Sequence, residues 1–210
     1  MTGAQAPALQ IGDFFVVNTG NGLGARLIRW GTDSPVNHAG VYIGGNRIVE
    51  AEASGAIVSP LSKYSNRELI WSTGRLHGVV DKFGGTVVDD TALFLDERRD
   101  IADAALKFAG YTRGLAGYTP GAKPDGRPTP YGWVDIACIA FAQRRTGHLI
   151  DDDDPIARRI SNMHYLICSQ LVDASYLAAG LHLFPDGRLP GLVSPGNLYD
   201  LIREDTPANV

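Results

Sequence analysis

The segment NHAGVYIGGNRIVEA, residues 37–51, alternates apolar and polar side chains on both sides of a glycine-rich centre. This pattern predicts a β-hairpin over residues 34–55 with its turn at Gly44–Asn46. Successive side chains of a strand point to opposite faces of a sheet. The two faces of the first strand are Ala39, Val41 and Ile43 on one side, and His38, Gly40 and Tyr42 on the other. The first set suits a core, so the imidazole is expected on the opposite face.

The length of the turn sets which residues of the two strands pair. A three-residue turn pairs Ile43 with Arg47, Gly40 with Glu50 and His38 with Glu52. Both glutamates then share the face of His38, whereas a two-residue turn would slip the register and move them to the other face. The apolar pattern favours the three-residue turn, although Ile48 then points with the glutamates. Gly40 has no side chain, so we expect room for Glu50 to approach the imidazole diagonally.

A cysteine stands where a second segment, HYLICSQLVDASYLAAG at residues 164–180, turns into a helix predicted over 168–179. The orphan N–H groups and the positive end of the dipole at a helix start favour a thiolate. A cysteine nucleophile also needs a base, and a third group that orients the base. His38 with a carboxylate beside it meets both needs, because the carboxylate holds the imidazole tautomer and stabilises its cation. The imidazolium would in turn stabilise the thiolate of Cys168.

The other histidines and the second cysteine have simpler interpretations. The weaker candidates for the base are His77, His148, His164 and His182. His164 lies on the same segment as the cysteine, and the other three lie in short strand-like runs or after a helix-ending glycine. Cys138 falls in the middle of an apolar helix predicted over 131–147, so we interpret it as a core residue.

The remaining chain predicts several short strands and longer helices. Strands are predicted at 13–17, 68–80, 85–89 and 181–184, and helices at 22–32, 91–109 and 194–205. Residues 112–130 are rich in Gly and Pro and predict a long loop, which we expect to shape a cleft through Tyr118 and Tyr131 near its ends. The acidic run DDDDP, residues 151–155, predicts a solvated loop with Asp154 as a helix cap, and a metal site is the less favoured alternative.

Composition excludes several classes of protein. The chain has 210 residues, 44% of them apolar, with a net charge of −4. This balance argues against nucleic acid and anionic membrane surfaces as partners. Two cysteines without ligand-spaced neighbours predict neither a disulfide framework nor a metal site, and no cofactor is expected. No segment has the pattern of a signal peptide or a membrane span, so we expect a soluble protein, cytoplasmic or virion-associated. The oligomeric state is left open.

The order of these motifs resembles the circularly permuted papain-like families. NHAGVYIGGNRIVEA (37–51) is followed far downstream by CSQLVDASYLAAGLHL (168–183) and SPGNLYDL (194–201). The YiiX-type hydrolases and the lecithin:retinol acyltransferase group, relatives of the NlpC-type cell-wall peptidases, share this order, with the histidine strand first and the cysteine helix last. GDFF (12–15) and YGWVD (131–135) are similar to further segments of those families.

The resemblance implies a fold and a set of roles. It implies a single α+β domain over residues 1–210, with an antiparallel sheet packed against helices and residues 81–130 as a less matched helix-plus-loop insertion. It implies Cys168 as the nucleophile at the start of a core helix, His38 as the base and Glu50, twelve positions on, as the orienting group. The chain departs from the family in having Gln170 where many relatives have glutamate, and in lacking the membrane anchor of the acyltransferases.

These observations predict a cysteine hydrolase that cleaves an amide or ester in a peptide, a peptidoglycan fragment or a lipid-like substrate. The backbone N–H of Cys168 is the expected first oxyanion donor, with Tyr42 and Tyr165 as candidates for the second. Glu52 is a further carboxylate expected near the imidazole. The alternatives are an acyltransferase that uses the same thiol, and a non-catalytic virion or envelope binding domain.

Overall fold

The computed structural model describes residues 8–20, 22–73, 76, 79–81, 86–87, 93–131, 167–186, 188 and 190–204. These residues form a mixed α+β structure in which an antiparallel sheet packs against helices, as the sequence predicts. The strands are β1 Phe14–Val17, β2 His38–Gly44, β3 Arg47–Glu52, β4 Gly55–Pro60, β5 Leu69–Trp71, β6 Val79–Asp81, β7 Thr86–Val87 and β8 Leu181–His182. The helices are α1 Leu23–Thr32, α2 Leu95–Phe108, α3 Gly114–Gly117, α4 Cys168–Ala178 and α5 Pro195–Glu204, with short 3₁₀ turns at Leu61–Tyr64 and Pro190–Leu192. No helix in these ranges is long and apolar enough to cross a bilayer.

Five strands form the main sheet in the order β4-β3-β2-β1-β5, and every neighbouring pair is antiparallel. A second, three-stranded sheet has the order β7-β6-β8. The hairpin of β2 and β3 therefore lies at the centre of the main sheet. His38 begins β2, so it lies at one end of this central hairpin.

The two faces of the main sheet bury different side chains. One face packs against α2, α4 and α5 in a core that includes Phe14, Val16, Ala39, Val41, Val49, Ile101, Leu171, Val172, Leu198 and Ile202. The other face carries a smaller cluster built from Phe15, Val17, Ile48 and Tyr64. Each large apolar side chain buried here stabilises the fold by roughly 1.5–3 kcal/mol relative to exposure. The second cluster also explains why Ile48 can point to the same face as the glutamates, because other side chains of the protein cover that face.

The turn of the hairpin differs from the predicted one, whereas its faces agree. Gly45 and Asn46 form a two-residue turn with φ of 56° at each, which is typical of a type I′ turn. A bulge between Tyr42 and Gly44 then pairs Gly44 with Arg47, so the predicted Ile43–Arg47 pair is wrong. The bulge inserts one residue and restores the register, so that Gly40 pairs with Glu50 as predicted. The ladder ends at that pair and does not include the predicted pair of His38 with Glu52.

Gly40 serves a different neighbour from the one expected. A Cβ at this position would lie 2.9 Å from Cε1 of Phe15, the residue opposite it on β1, and 2.9 Å from the carbonyl oxygen of Val49. The space left by the missing side chain is therefore filled by the phenyl ring. Close packing of β1 on β2 requires glycine here.

The GDFF segment ties the sheet to the helices. Asp13 is buried and accepts a hydrogen bond of 2.8 Å from Nη1 of Arg98 in α2, and another of 2.6 Å from Oγ1 of Thr73. Gly12 has a φ of 87°, and a Cβ there would lie 2.9 Å from the carbonyl oxygen of Arg98. The hydroxyl of Tyr176 in α4 donates to the Gly12 carbonyl at 3.0 Å. These contacts hold β1 between α2 and the cysteine helix.

The predicted long loop at 112–130 contains local structure. It includes the short helix α3, and its far end returns to the helix that precedes it, since the Thr129 N–H donates to the Phe108 carbonyl at 2.8 Å. The Ala56 N–H of β4 donates to the Thr129 carbonyl at 2.9 Å. These bonds place Tyr131, at the end of the loop, beside the central hairpin. The predicted helix at 131–147, Cys138 and the acidic run at 151–155 lie outside the described residues beyond Tyr131.

Candidate active site

The pairing of β2 with β3 brings an imidazole and a carboxylate together. Gly40 pairs with Glu50, and His38 lies two residues before Gly40 on the same face, so the two side chains are diagonal neighbours. The Nε2 atom of His38 lies 2.7 Å from Oε2 of Glu50. The glutamate is fully buried, whereas 8% of His38 is exposed. The pair is therefore sealed at the carboxylate and open to solvent only at the imidazole.

Both oxygens of the buried carboxylate are occupied. The hydroxyl of Tyr64 donates to Oε2 at 2.5 Å, and Nζ of Lys63 donates to Oε1 at 2.6 Å. Burial alone would raise the pKa of Glu50, but hydrogen bonds and charge from His38, with hydrogen bonds from Lys63 and Ser59, lower it to about 2. The carboxylate is therefore ionised at neutral pH, and its donors hold it in one orientation.

Lys63 and Tyr64 are functional candidates that the sequence analysis missed. They lie on the 3₁₀ turn Leu61–Tyr64, which follows β4 and folds over the hairpin. Burial and the negative charge of Glu50 raise the pKa of Tyr64, so its hydroxyl keeps its proton and acts as a donor. Lys63 also contacts Glu52, the second carboxylate that the sequence predicts near the imidazole. Glu52 thus pairs with Lys63 at the surface.

The cysteine meets the imidazole at the start of α4. Cys168 is the first residue of that helix, as predicted, and lies where the unpaired N–H groups point. Burial would lower the pKa of His38, but charge and a hydrogen bond from Cys168, followed by the hydrogen bond and charge of Glu50, raise it to about 10. Because Nε2 is occupied by Glu50, Nδ1 is the ring nitrogen available to the thiol. The imidazole therefore interacts with both the cysteine and the carboxylate.

Neighbouring polar side chains fix the start of the cysteine helix. The Oε1 atom of Gln170 accepts the Ile167 N–H at 2.9 Å, and its Nε2 donates to the Gly191 carbonyl at 2.8 Å. The hydroxyl of Ser169 donates to the Val193 carbonyl at 2.7 Å. Gln170 thus anchors the helix start to the turn Pro190–Leu192. These bonds set the position of Cys168 at the start of the helix.

Tyr131, one of the four tyrosines that the sequence analysis considered, lines the cleft beside the imidazole. Burial, with the negative charges of Cys168 and Glu52, raises the pKa of Tyr131, so its hydroxyl remains protonated. Tyr42 packs its ring edge-on to Trp71, with centroids 6.1 Å apart, against the second apolar cluster. The structure thus does not support Tyr42 as the second oxyanion donor. Tyr165 lies outside the described residues, as do His77, His148 and His164.

A cleft of about 490 Å³ opens beside the imidazole. It is lined by Thr19, His38, Ala51, Glu52, Ala53, Lys63, Tyr64, Arg67 and Tyr131. This volume is in the range of small-ligand sites. Cys168 is 1% exposed and does not itself line the cleft, whereas His38 does.

Metal chemistry has no candidate ligands in the described ranges, where no group of three or more His, Cys, Asp or Glu side chains could hold an ion. His182, the remaining described histidine, pairs with Val80 in the small sheet and not with the site.

Comparison of the chain with protein-family models found no match, and comparison with curated protein sequences found none.

Proposed function

We propose that the protein is a cysteine hydrolase that cleaves an amide or an ester. The observation that carries the proposal is the environment of His38, whose Nε2 lies 2.7 Å from a buried carboxylate and whose pKa is raised by charge and a hydrogen bond from Cys168. A structural histidine needs one satisfied hydrogen bond. Here a fully buried glutamate with three further donors and a thiol at a helix start are both directed at the same ring.

The reaction follows from these positions. The Sγ atom of Cys168 attacks the carbonyl carbon of the substrate and forms a C–S bond, while His38 holds the thiol proton as imidazolium. The tetrahedral intermediate collapses, the C–N or C–O bond breaks, and His38 donates its proton to the leaving amine or alcohol. Water then attacks the thioester with His38 as base, which releases the acid and restores the thiol. Glu50 stays ionised throughout and stabilises the imidazolium.

The developing oxyanion needs donors near the nucleophile. The backbone N–H of Cys168 is one, because the first N–H groups of a helix have no intrahelical partner. Tyr131 is the second in this proposal, in place of Tyr42 and Tyr165, because its protonated hydroxyl lies within the influence of the Cys168 charge. Loss of one such donor costs roughly 10²–10³ in kcat.

The fold that best accommodates this site is the circularly permuted papain-like fold, as a single domain over residues 1–210. Its support is the order of the parts: a histidine on the central strand of an antiparallel sheet comes first, and a cysteine at the start of a packed helix comes last. The same resemblance supports a peptide, a peptidoglycan fragment or a lipid-like molecule as the substrate.

The decisive experiment compares the wild-type protein with Cys168→Ala on peptidoglycan fragments and on phospholipids, followed by mass spectrometry. Cys138→Ala serves as the matched control for loss of a thiol. We expect cleavage that is lost in Cys168→Ala and kept in Cys138→Ala. Transfer of the acyl group to an added amine in preference to water would identify an acyltransferase. Products that persist in Cys168→Ala would overturn the assignment of the nucleophile, and binding without any product would support a non-catalytic domain.

A further inference from the structure

Two cationic side chains that line the cleft, Lys63 and Arg67, differ in their ion-pair partners. Lys63 contacts both Glu50 and Glu52, so its positive charge is shared by two carboxylates. Arg67 lines the same cleft, and its guanidinium makes no ion pair or hydrogen bond with any residue in the described part of the chain. Among the described residues that line the cleft, Arg67 is therefore the cationic side chain with free donors.

The backbone opposite Arg67 is shaped to receive its guanidinium. Gly20 has a φ of 111°, and a Cβ there would lie 3.3 Å from Nη2 of Arg67. A side chain at residue 20 would thus press against the guanidinium. Glycine leaves the Nη atoms at the rim of the cleft, next to Thr19, which also lines it.

The same loop is held in place by the segment that carries the base. The Thr19 N–H donates to Oδ1 of Asn37 at 2.8 Å, and Nδ2 of Asn37 donates back to Oγ1 of Thr19 at 2.8 Å. Asn37 directly precedes His38. Nη1 of Arg29 further binds the Gly20 carbonyl at 2.6 Å. The wall beneath Arg67 is therefore fixed relative to the imidazole, as a specificity site requires.

We propose that Arg67 binds a carboxylate of the substrate, so that the enzyme acts on acidic acyl or peptide-like compounds. This inference rests on the hydrolase proposed above and adds the charge of its substrate. A guanidinium offers two parallel N–H donors that match the two oxygens of a carboxylate. A phosphate dianion would call for a second free cation, and Lys63 is already bound by two glutamates. One exposed guanidinium therefore fits a single carboxylate best.

The test uses two compounds that differ in one charge, glutaryl para-nitroanilide and valeryl para-nitroanilide. Their affinities are measured by calorimetry on Cys168→Ala, which binds without turnover, and on the same chain with Arg67→Gln or Arg67→Lys. Arg99→Gln removes an exposed arginine of α2 that does not line the cleft, and is the matched control. Butyl phosphate tests the alternative anion.

We expect the glutaryl compound to bind about tenfold more tightly than the valeryl compound, as one charge-assisted contact at an exposed site allows. Arg67→Gln should bring the ratio of the two affinities close to one, Arg67→Lys should restore part of it, and Arg99→Gln should keep it. A ratio near one in the parent chain, a ratio unchanged by Arg67→Gln, no binding of either compound, or tighter binding of butyl phosphate would each overturn the inference.

Release of nitroaniline by the chain with Cys168 intact separates this inference from the proposed function. Turnover that depends on Cys168 but is the same for both anilides and unchanged by Arg67→Gln would overturn the role of Arg67 alone. Selective binding of the glutaryl compound without turnover of either anilide would leave Arg67 as a carboxylate site and count against hydrolysis.

Discussion

Nε2 of His38 lies 2.7 Å from Oε2 of Glu50, and this contact joins the most buried carboxylate of the site to a ring that opens on the cleft. The same carboxylate accepts from Tyr64 and Lys63, so it cannot turn away from the imidazole without losing those bonds. The ring is thereby fixed with Nδ1 free for Cys168. The hairpin and the turn that follows β4 therefore set the orientation of the imidazole.

The contact between His38 and Cys168 predicts a reactive thiol. Iodoacetamide should alkylate Cys168 faster than Cys138 at neutral pH, and His38→Ala should slow alkylation of Cys168 about tenfold or more, because only the thiolate is the nucleophile. Peptide mapping by mass spectrometry measures both rates in one sample. Equal, slow labelling of the two cysteines would contradict the dyad and favour a binding domain.

Replacing the orienting carboxylate should impair both stability and catalysis. Glu50→Gln keeps the shape of the side chain but removes the carboxylate charge beside His38 and leaves Lys63 paired with Glu52 alone. Breaking a buried ion pair in this way costs on the order of 3 kcal/mol of unfolding free energy. Turnover should fall roughly 10²-fold or more, because the imidazolium loses its stabilising charge. Urea melts and turnover of a cleaved substrate measure the two effects.

The stability difference between wild type and Glu50→Gln should depend on pH in a defined way. The pKa of Glu50 is lowered from 4.5 to about 2, so its contribution is complete above pH 4.5 and disappears as the pH falls through 2. The pKa of His38 is raised from 6.5 to about 10, so the contribution of its cation is complete below pH 6.5 and disappears as the pH rises through 10. The difference should be largest between pH 4.5 and 6.5. A difference that is constant from pH 2 to pH 10 would rule out the ion pair.

The alternation of side chains in the hairpin was sufficient to predict the faces of β2 and β3. A strand has a period of two, and only one register buries Ala39, Val41 and Val49 together. The turn was not predictable, because Gly44, Gly45 and Asn46 all tolerate positive φ and permit either a three-residue turn or a two-residue turn with a bulge. Gly40 pairs with Glu50 in either of these two turns.

Local sequence patterns could not predict the donors to Glu50 or the position of Tyr131. Lys63 and Tyr64 follow Glu50 by 13 and 14 residues and meet it only because β4 pairs back on β3 and the next turn folds over the sheet. Tyr131 reaches the site through the hydrogen bond between Thr129 and Ala56. Such contacts depend on tertiary packing, whereas His38, Glu50 and Cys168 could be recognised from strand register and helix position.

The two donors to Glu50 should differ in their energetic effect. Tyr64→Phe removes a buried hydroxyl and leaves Oε2 with one donor fewer, which should cost about 1–3 kcal/mol of unfolding free energy. Lys63→Met removes an ammonium whose side chain is 33% exposed, and solvent screening should limit its cost to about 1 kcal/mol. Chemical denaturation at low and high salt measures both, and only the Lys63 effect should shrink with added salt. Equal losses of unfolding free energy in the two variants would contradict the burial of the Tyr64–Glu50 contact.

Packing of β1 on the central hairpin predicts that Gly40→Ala is harmful although the change is one methyl group. The new Cβ would lie 2.9 Å from both the Phe15 ring and the Val49 carbonyl, and a backbone atom cannot give way without moving β3. We expect a loss of about 2 kcal/mol in unfolding free energy. Because Val49 precedes Glu50, the shift should also displace the carboxylate from His38 and lower turnover.

Gly22→Ala is the matched control for that substitution. Its Cβ would meet no atom within 4 Å, and the φ of −57° at residue 22 suits alanine. The variant should retain turnover and lose less than about 1 kcal/mol, the usual cost of alanine at a helix cap. If Gly40→Ala matched this control in both measurements, the close approach of Phe15 to β2 would not be what holds Glu50 against His38.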